Sequence, residues 1–312
     1  MLPRFLIIGA QKCGTTWLHH HLANHPALFL PEGKDDEFFS YQPARPLAYY
    51  DRKFAAAPDG VLRGDSCASY LWSPHPEDRQ PEHFNPAIPA TVRDALGADC
   101  RLIVLLKDPV ARTLSAYLHH LACGSLSANH ALFDAPPELG LVALSRYGWH
   151  LRHWLATFPP EQLLVVPDPG STDARALLRR VTAFLGVADE DAFSDAERVV
   201  YGGLRRRLDD SGLWVTVGQP GLDSLEALQR PCPILEHEDA TEVRLVDPDE
   251  IAQLRATLRA DTADFAVLAE TYRWTDPAFG RWRSWPGAVE NPGGSETTVA
   301  PPQFLPLGMP LE

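Results

Sequence analysis

A three-layer α/β fold, a mostly parallel sheet with helices on both faces, is predicted by two features of the sequence. Uninterrupted apolar runs recur at residues 5–8, 102–106 and 163–166, and strands without a polar face belong inside a sheet covered on both sides. Each run is followed by apolar residues at helical spacing, and this alternation implies crossover connections between parallel strands.

The elements follow in order. Phe5, Leu6, Ile7 and Ile8 are closed by Gly9. Thr15 and Thr16 then suit a helix start, Leu18 and Leu22 stand at i,i+4, and Asn24 with Pro26 marks the end. After residues 102–106, Pro109 fits a first helical turn, and Leu114, Leu118 and Leu121 make one stripe. Leu151, Trp154, Leu155 and Phe158 predict a helix running into the strand at 163–166. Leu177, Leu178, Val181, Phe184 and Leu185 predict the next helix, and Ile251, Leu254, Leu258, Phe265 and Leu268 the last. Residues 209–243 mix Gly, Pro and charge without period and read as an irregular insertion near the site. Residues 1–284 read as one domain, and 285–312 as a mobile Pro- and Gly-rich tail.

Composition narrows the function. A net charge of -13 argues against nucleic acid or another polyanion held along a broad face, which needs an extended Lys/Arg surface. The cysteines, Cys13, Cys67, Cys100, Cys123 and Cys232, are odd in number and too far apart for a zinc site or redox pair, so they read as reduced thiols of a cytoplasmic protein. The first apolar run is too short for a signal peptide or a membrane span, and no membrane partner is expected.

The segment from Gly9 to Thr16 joins a buried strand to a helix, where free backbone N–H groups and the helix dipole favour an anion. Its glycines have P-loop spacing, but Thr15 stands where the triphosphate-gripping lysine should follow Gly14, and Lys12 is the loop's one lysine. Gln11-Lys12-Cys13-Gly14-Thr15-Thr16-Trp17-Leu18 resembles the 5′-phosphosulfate loop of sulfotransferases that use 3′-phosphoadenosine 5′-phosphosulfate (PAPS). The resemblance implies a P-loop-like sulfotransferase fold, with Gln11, Lys12, Cys13, Gly14, Thr15, Thr16 and Trp17 at the nucleotide. It further implies Lys12 acting on the leaving phosphate, with Thr15 and Thr16 donating to the same group.

Lys107-Asp108-Pro109-Val110-Ala111-Arg112-Thr113-Leu114-Ser115 follows the second strand. Arg112 and Ser115, three apart on a helix, are expected to share a face opposite the leucine stripe and to suit a phosphate. The segment resembles that family's 3′-phosphate motif at Pro109, Arg112 and Ser115, with Lys107 in place of the usual arginine, which keeps the charge but loses the bidentate fork. Residues 201–207, Tyr-Gly-Gly-Leu-Arg-Arg-Arg, resemble the late glycine-and-basic segment that closes over the nucleotide, which brings in Arg205 and Arg206; a solvated charge run is the alternative.

Transfer to a hydroxyl or amine needs a group to take the acceptor's proton. Lys34-Asp35-Asp36-Glu37-Phe38-Phe39 resembles the Lys-Glu-x-His-Phe-Phe segment of heparan-type and bacterial sulfotransferases, which implies Asp35 as base, with Glu37 in the histidine's place and as the alternative base. Asp65 is a secondary candidate. His19, His20, His21 and His25 lack further ligands at metal spacing, so no metal is expected, and His119 and His120 read as helix-surface or interface residues. The expectation is therefore sulfuryl transfer from PAPS to a small-molecule, natural-product or sugar acceptor, releasing adenosine 3′,5′-bisphosphate. A P-loop kinase-like phosphotransferase, with Asp108 on magnesium, is the runner-up, and a non-catalytic nucleotide binder is the third reading.

Overall fold

A computed structural model of the chain describes residues 1–79, 81–188, 193, 196 and 204–284. The expected tail at 285–312 and Tyr201, Gly202 and Gly203 lie outside the described residues.

The chain begins as β1 (Phe5–Gly9), α1 (Thr15–Ala23), β2 (Leu28–Phe29), α2 (Phe38–Tyr41), α3 (Leu47–Asp51), β3 (Leu62–Ser66), α4 (Ile88–Leu96), β4 (Arg101–Leu106) and α5 (Pro109–Ala122). It continues with α6 (Tyr147–Leu155), β5 (Leu163–Pro167) and α7 (Ala174–Leu185). The five strands form one sheet in the order β2-β3-β1-β4-β5, every pair parallel. β1 is buried at every position, as its lack of a polar face requires. β3 gave no apolar run because it reads Leu-Arg-Gly-Asp-Ser. It fits because Gly64 lies flat on the Phe5 ring, where an added Cβ would fall 2.0 Å from the Phe5 Cζ.

The irregular insertion expected at 209–243 is corrected. A second sheet of antiparallel strands is built from β6 (Arg206–Asp209), β7 (Gly212–Thr216), β8 (Ile234–His237) and β9 (Ala240–Val246), in the order β6-β7-β9-β8. Tight turns at Asp210-Ser211 and Glu238-Asp239 join the two hairpins. The outer strands hid themselves: every residue of β8 is exposed, so no apolar alternation marks it. Only the stretch between β7 and β8 lacks strand pairing of this kind.

The long α8 (Pro248–Thr271) opens with a capping box of Asp247 and Glu250 and packs on α5 and α6, and α9 (Pro277–Gly280) follows. One core cluster surrounds the parallel sheet; another joins α5, α8 and the second sheet through Leu114, Leu118, Val215, Val243 and Leu254. Helix α5 gives its buried apolar residues to the second cluster, and no position along it is fully exposed.

Candidate active site

A cavity of about 910 Å³ opens at the carboxyl ends of β1, β4 and β5, where open parallel sheets place their ligands. The loop after β1 forms one wall. Gly14 caps α1 with φ 88° and carries its backbone against Pro169, where a Cβ would come within 2.5 Å of the proline ring. Only glycine meets both demands. Gln11, Lys12, Gly14, Thr15, Thr16 and Trp17 all line the cavity. Cys13 does not: its thiol is buried beside the Tyr147 hydroxyl at 3.6 Å, and burial pushes it up in pKa.

Cations converge on this end. Lys107 lines the cavity and donates to the Lys12 carbonyl at 3.3 Å, tying the two loops together. Burial pulls Lys12 below its ordinary pKa, Cys123 opposes, and Lys107, Arg112 and Arg206 add to the lowering. Arg206 stands on the same wall, lowered by burial, as does Ser115 on α5. Arg205 does not; it lines a separate surface hollow near Thr216 and Asp239.

Arg112 is the main correction. It is wholly buried and absent from the cavity wall. Its guanidinium donates to the Gln11 carbonyl at 3.1 Å and the Gln11 side chain at 2.7 Å, and reaches the Leu141 carbonyl at 2.7 Å and Ser145 Oγ at 3.3 Å. It is a strut behind the first loop. The face argument failed because α5 has no solvent side: Ser115, Leu118, His119 and His120 reach the cavity while Arg112 points inward. The two histidines, expected at a surface or interface, are thus on the wall. Burial and then His119, Arg112 and Lys12 push His120 down to about 4, so near neutral pH it is an uncharged imidazole.

The second end of the cavity is built from the segment between β2 and α2, pinned to the end of β3, the neighbour of β1. The Asp35 N–H donates to the Ser66 carbonyl at 2.9 Å, and the Asp35 carboxylate accepts from the Ala68 N–H at 2.9 Å and pairs with Lys34. Asp35 and Glu37 both line the cavity. The described non-glycine residues with left-handed φ are Lys12, Asp35, Glu37 and Arg273, so the strained backbone gathers where the sequence put its catalytic candidates. Burial, then Asp35 and Asp36, raise the Glu37 pKa above the usual carboxylate range. Asp65 is fully buried, held by the Tyr50 hydroxyl at 2.7 Å and Lys53 at 3.0 Å, and is not on the wall. It is a core anchor.

Sequence reasoning missed a third rim, Asp168, Pro169, Gly170, Thr172 and Asp173, which follows β5 and leads into α7. The signal was present as a third buried strand followed by Asp, Pro and Gly. It also missed Tyr41, Trp72 and Glu138, which come from segments without a motif, whereas Lys34 reaches the wall from the same segment as Asp35. Among the described residues no group of three His, Cys, Asp or Glu is placed to hold a metal, and no helix is long and apolar enough to cross a membrane.

The parallel sheet with a phosphate-type loop after its central strand defines a P-loop-like α/β fold. A crystal structure of a sulfotransferase from Alicyclobacillus acidocaldarius shares it, with a TM-score of 0.58 at 21% identity, over 88% of this chain and 99% of that one. The sulfotransferase domain family matches residues 2–198, and the chain belongs to that family. Human heparan sulfate glucosamine 3-O-sulfotransferase 3B1 is 30% identical over 195 residues, 60% of this chain and 46% of that protein. Human bifunctional heparan sulfate N-deacetylase/N-sulfotransferase 2 is 26% identical over 227 residues, 68% of this chain and 24% of that protein. The chain thus spans about half, or less, of the curated relatives it matches. The kinase reading falls with the family and with the missing P-loop lysine; Asp108 serves as the N-cap of α5, accepting from the Ala111 N–H at 2.9 Å.

Proposed function

We propose that the protein transfers the sulfuryl group of PAPS to a hydroxyl or amine of a small-molecule or sugar acceptor, with Lys12 and Asp35 as its catalytic residues. The observation that carries the reading is their meeting on one cavity: a lysine from the phosphate loop and a carboxylate anchored at the end of the neighbouring β3. The residues fit the nucleotide. In a chain of net charge -13, this one end gathers Lys12, Lys107 and Arg206 with the hydroxyls of Thr15, Thr16 and Ser115.

When bound, PAPS supplies the sulfuryl group, whose bond to the 5′-phosphate oxygen breaks as the acceptor's oxygen or nitrogen bonds to sulfur. Lys12 faces the charge that builds on the departing 5′-phosphate oxygen, where a preoriented cation lowers the barrier more than it aids binding. Asp35 takes the acceptor's proton, and its hydrogen bond from Ala68 keeps one oxygen fixed for that role. Lys107 and Ser115, on a different strand–helix unit, suit the 3′-phosphate. Arg206 is offered as a further nucleotide contact, whereas Arg205 is withdrawn. A reducing, cytoplasmic setting is part of this reading, supported by the buried thiols Cys13, Cys67 and Cys100.

Thermal unfolding with adenosine 3′,5′-bisphosphate and with ATP tests the nucleotide, because a ligand of the folded state raises the melting temperature. The bisphosphate should stabilise and ATP should not. Equal stabilisation by both, or none by the bisphosphate, would discard the assignment.

A further inference from the structure

The acidic side chains at the acceptor end differ in one respect. Asp35 is held by Ala68 and Lys34, and Asp36 by Lys53 at 2.8 Å and the Tyr70 hydroxyl at 3.3 Å. Glu138, also on the cavity wall, pairs with Arg79 at 3.4 Å. Glu37 stands on the wall half-buried, and among the described residues its carboxylate has neither a hydrogen bond nor an ion pair; only its backbone carbonyl is engaged, by the Ser40 and Tyr41 N–H groups and Ser40 Oγ.

The nearby cations are already committed. Lys34 pairs with Asp35, and Lys53 is shared between Asp36 and Asp65. A partly desolvated carboxylate without a partner is unfavourable, and the upward pull on Glu37 from burial, Asp35 and Asp36 has the same origin. A neutral hydroxyl arriving there relieves only the missing hydrogen bond; an ammonium relieves the charge as well, and an anion makes it worse. Tyr41 and Trp72 on the same wall present aromatic surface, and Leu139 and Leu144 apolar surface, to whatever body carries that cation.

We propose that Glu37 is a specificity-determining residue that pairs with an ammonium group on the acceptor, so that the acceptor is an amine-bearing alcohol, phenol or sugar and not an acidic polysaccharide. The inference rests on the sulfotransferase reading. The ammonium takes no part in the transfer: a separate hydroxyl of the acceptor bonds to sulfur, its proton goes to Asp35, and the electron pair of the broken S–O bond stays on the 5′-phosphate.

Calorimetry on the protein saturated with adenosine 3′,5′-bisphosphate tests it with two matched sets, tyramine, tyrosol and para-hydroxyphenylacetate, and glucosamine, glucose and glucuronate. In at least one set the ammonium member should bind about tenfold or more tighter than its neutral partner, the worth of a charge-assisted hydrogen bond, with the carboxylate weakest. The set that responds tells an aryl body from a sugar. Glu37→Gln should bring the ratio of ammonium to neutral affinity to about one and raise KM for the ammonium member by the same roughly tenfold factor. The proposal is overturned if a neutral or anionic member leads, if no ammonium member binds, if Glu37→Gln leaves the ratio unchanged, or if it lowers kcat for neutral and ammonium acceptors alike, which would make Glu37 the base. A protein that does not bind the bisphosphate at all fails the sulfotransferase reading instead, and that is seen before any acceptor is added.

Discussion

The two ends of the cavity are made by different means. The nucleotide end is assembled from the carboxyl ends of three parallel strands and the helices that follow, with Arg206 added from the second sheet, so most of its positions are set by regular structure. The acceptor end hangs on a short irregular segment whose carboxylates are aimed by two residues in left-handed conformation and by hydrogen bonds to the end of β3. One end is fixed by architecture, the other by a handful of local contacts, and substitutions should therefore break them differently.

The largest effect is expected at the acceptor end. Asp35→Asn keeps the shape and the bond from Ala68 but cannot take a proton, so turnover should fall by roughly 10²–10⁴-fold with bisphosphate affinity intact. The measurement needs an acceptor whose hydroxyl is not already acidic. A near-wild-type rate would move the base elsewhere. At the nucleotide end, Lys12→Ala should reduce kcat by about a hundredfold, with a smaller loss of bisphosphate affinity, because it opposes charge that develops only during transfer. Affinity and rate falling by the same factor would make Lys12 a ground-state anchor.

How much of this was legible follows from the same contrast. Lys12, Thr15, Thr16, Lys107 and Ser115 were found in the sequence because strand, loop and helix announce themselves by period, and the motif fixes the residue within them. Asp35 and Glu37 came only from a resemblance centred on Phe38 and Phe39. Tyr41, Trp72 and Glu138 carried no signal, since they meet through tertiary packing of segments without pattern. Arg112 was misread for a physical reason: on a helix buried all round, i,i+3 spacing says that two residues are neighbours but not which side meets the ligand. The second sheet was hidden by its exposed outer strands.

That misreading gives the next test. Lys107→Ala should weaken adenosine 3′,5′-bisphosphate about tenfold while leaving adenosine 5′-phosphate nearly unchanged, as expected for a charge-assisted contact to the extra phosphate. Arg112→Met should weaken both nucleotides equally. It also leaves the carbonyls of Gln11 and Leu141 without their donor, at about 1–3 kcal/mol for each unsatisfied buried acceptor. Calorimetry and urea unfolding on the two variants separate the roles, and a selective loss of the bisphosphate in Arg112→Met would restore it as a phosphate ligand.

The smallest effect lies outside both ends and belongs to the scaffold. Asp261 on α8 accepts from the Gly148 and Trp149 N–H groups at 3.0 and 2.8 Å, and burial pushes its pKa up to about 6 against those bonds. A carboxyl whose folded pKa is raised gives stability that is present at low pH and lost as pH rises from its unfolded value near 3.8 through about 6. Wild type minus Asp261→Asn should therefore slope downward across that window by at most about 1.4 kcal/mol per pH unit. Urea titrations read it, and a flat difference would place Asp261 in a more hydrated setting.

The strut formed by Arg112 has a consequence for anyone who wishes to redirect this protein to a new acceptor. Segment 139–145 supplies Leu139 and Leu144 to the acceptor wall, and the same guanidinium that holds the Leu141 carbonyl also holds both oxygens of Gln11. The segment is thus not a cassette to be exchanged freely: a graft that shifts its backbone by an ångström pulls on the phosphate loop through a single rigid side chain. Libraries that vary side chains at Leu139 and Leu144 while leaving the chain trace alone should retain nucleotide binding, and loop transplants of altered length should lose it.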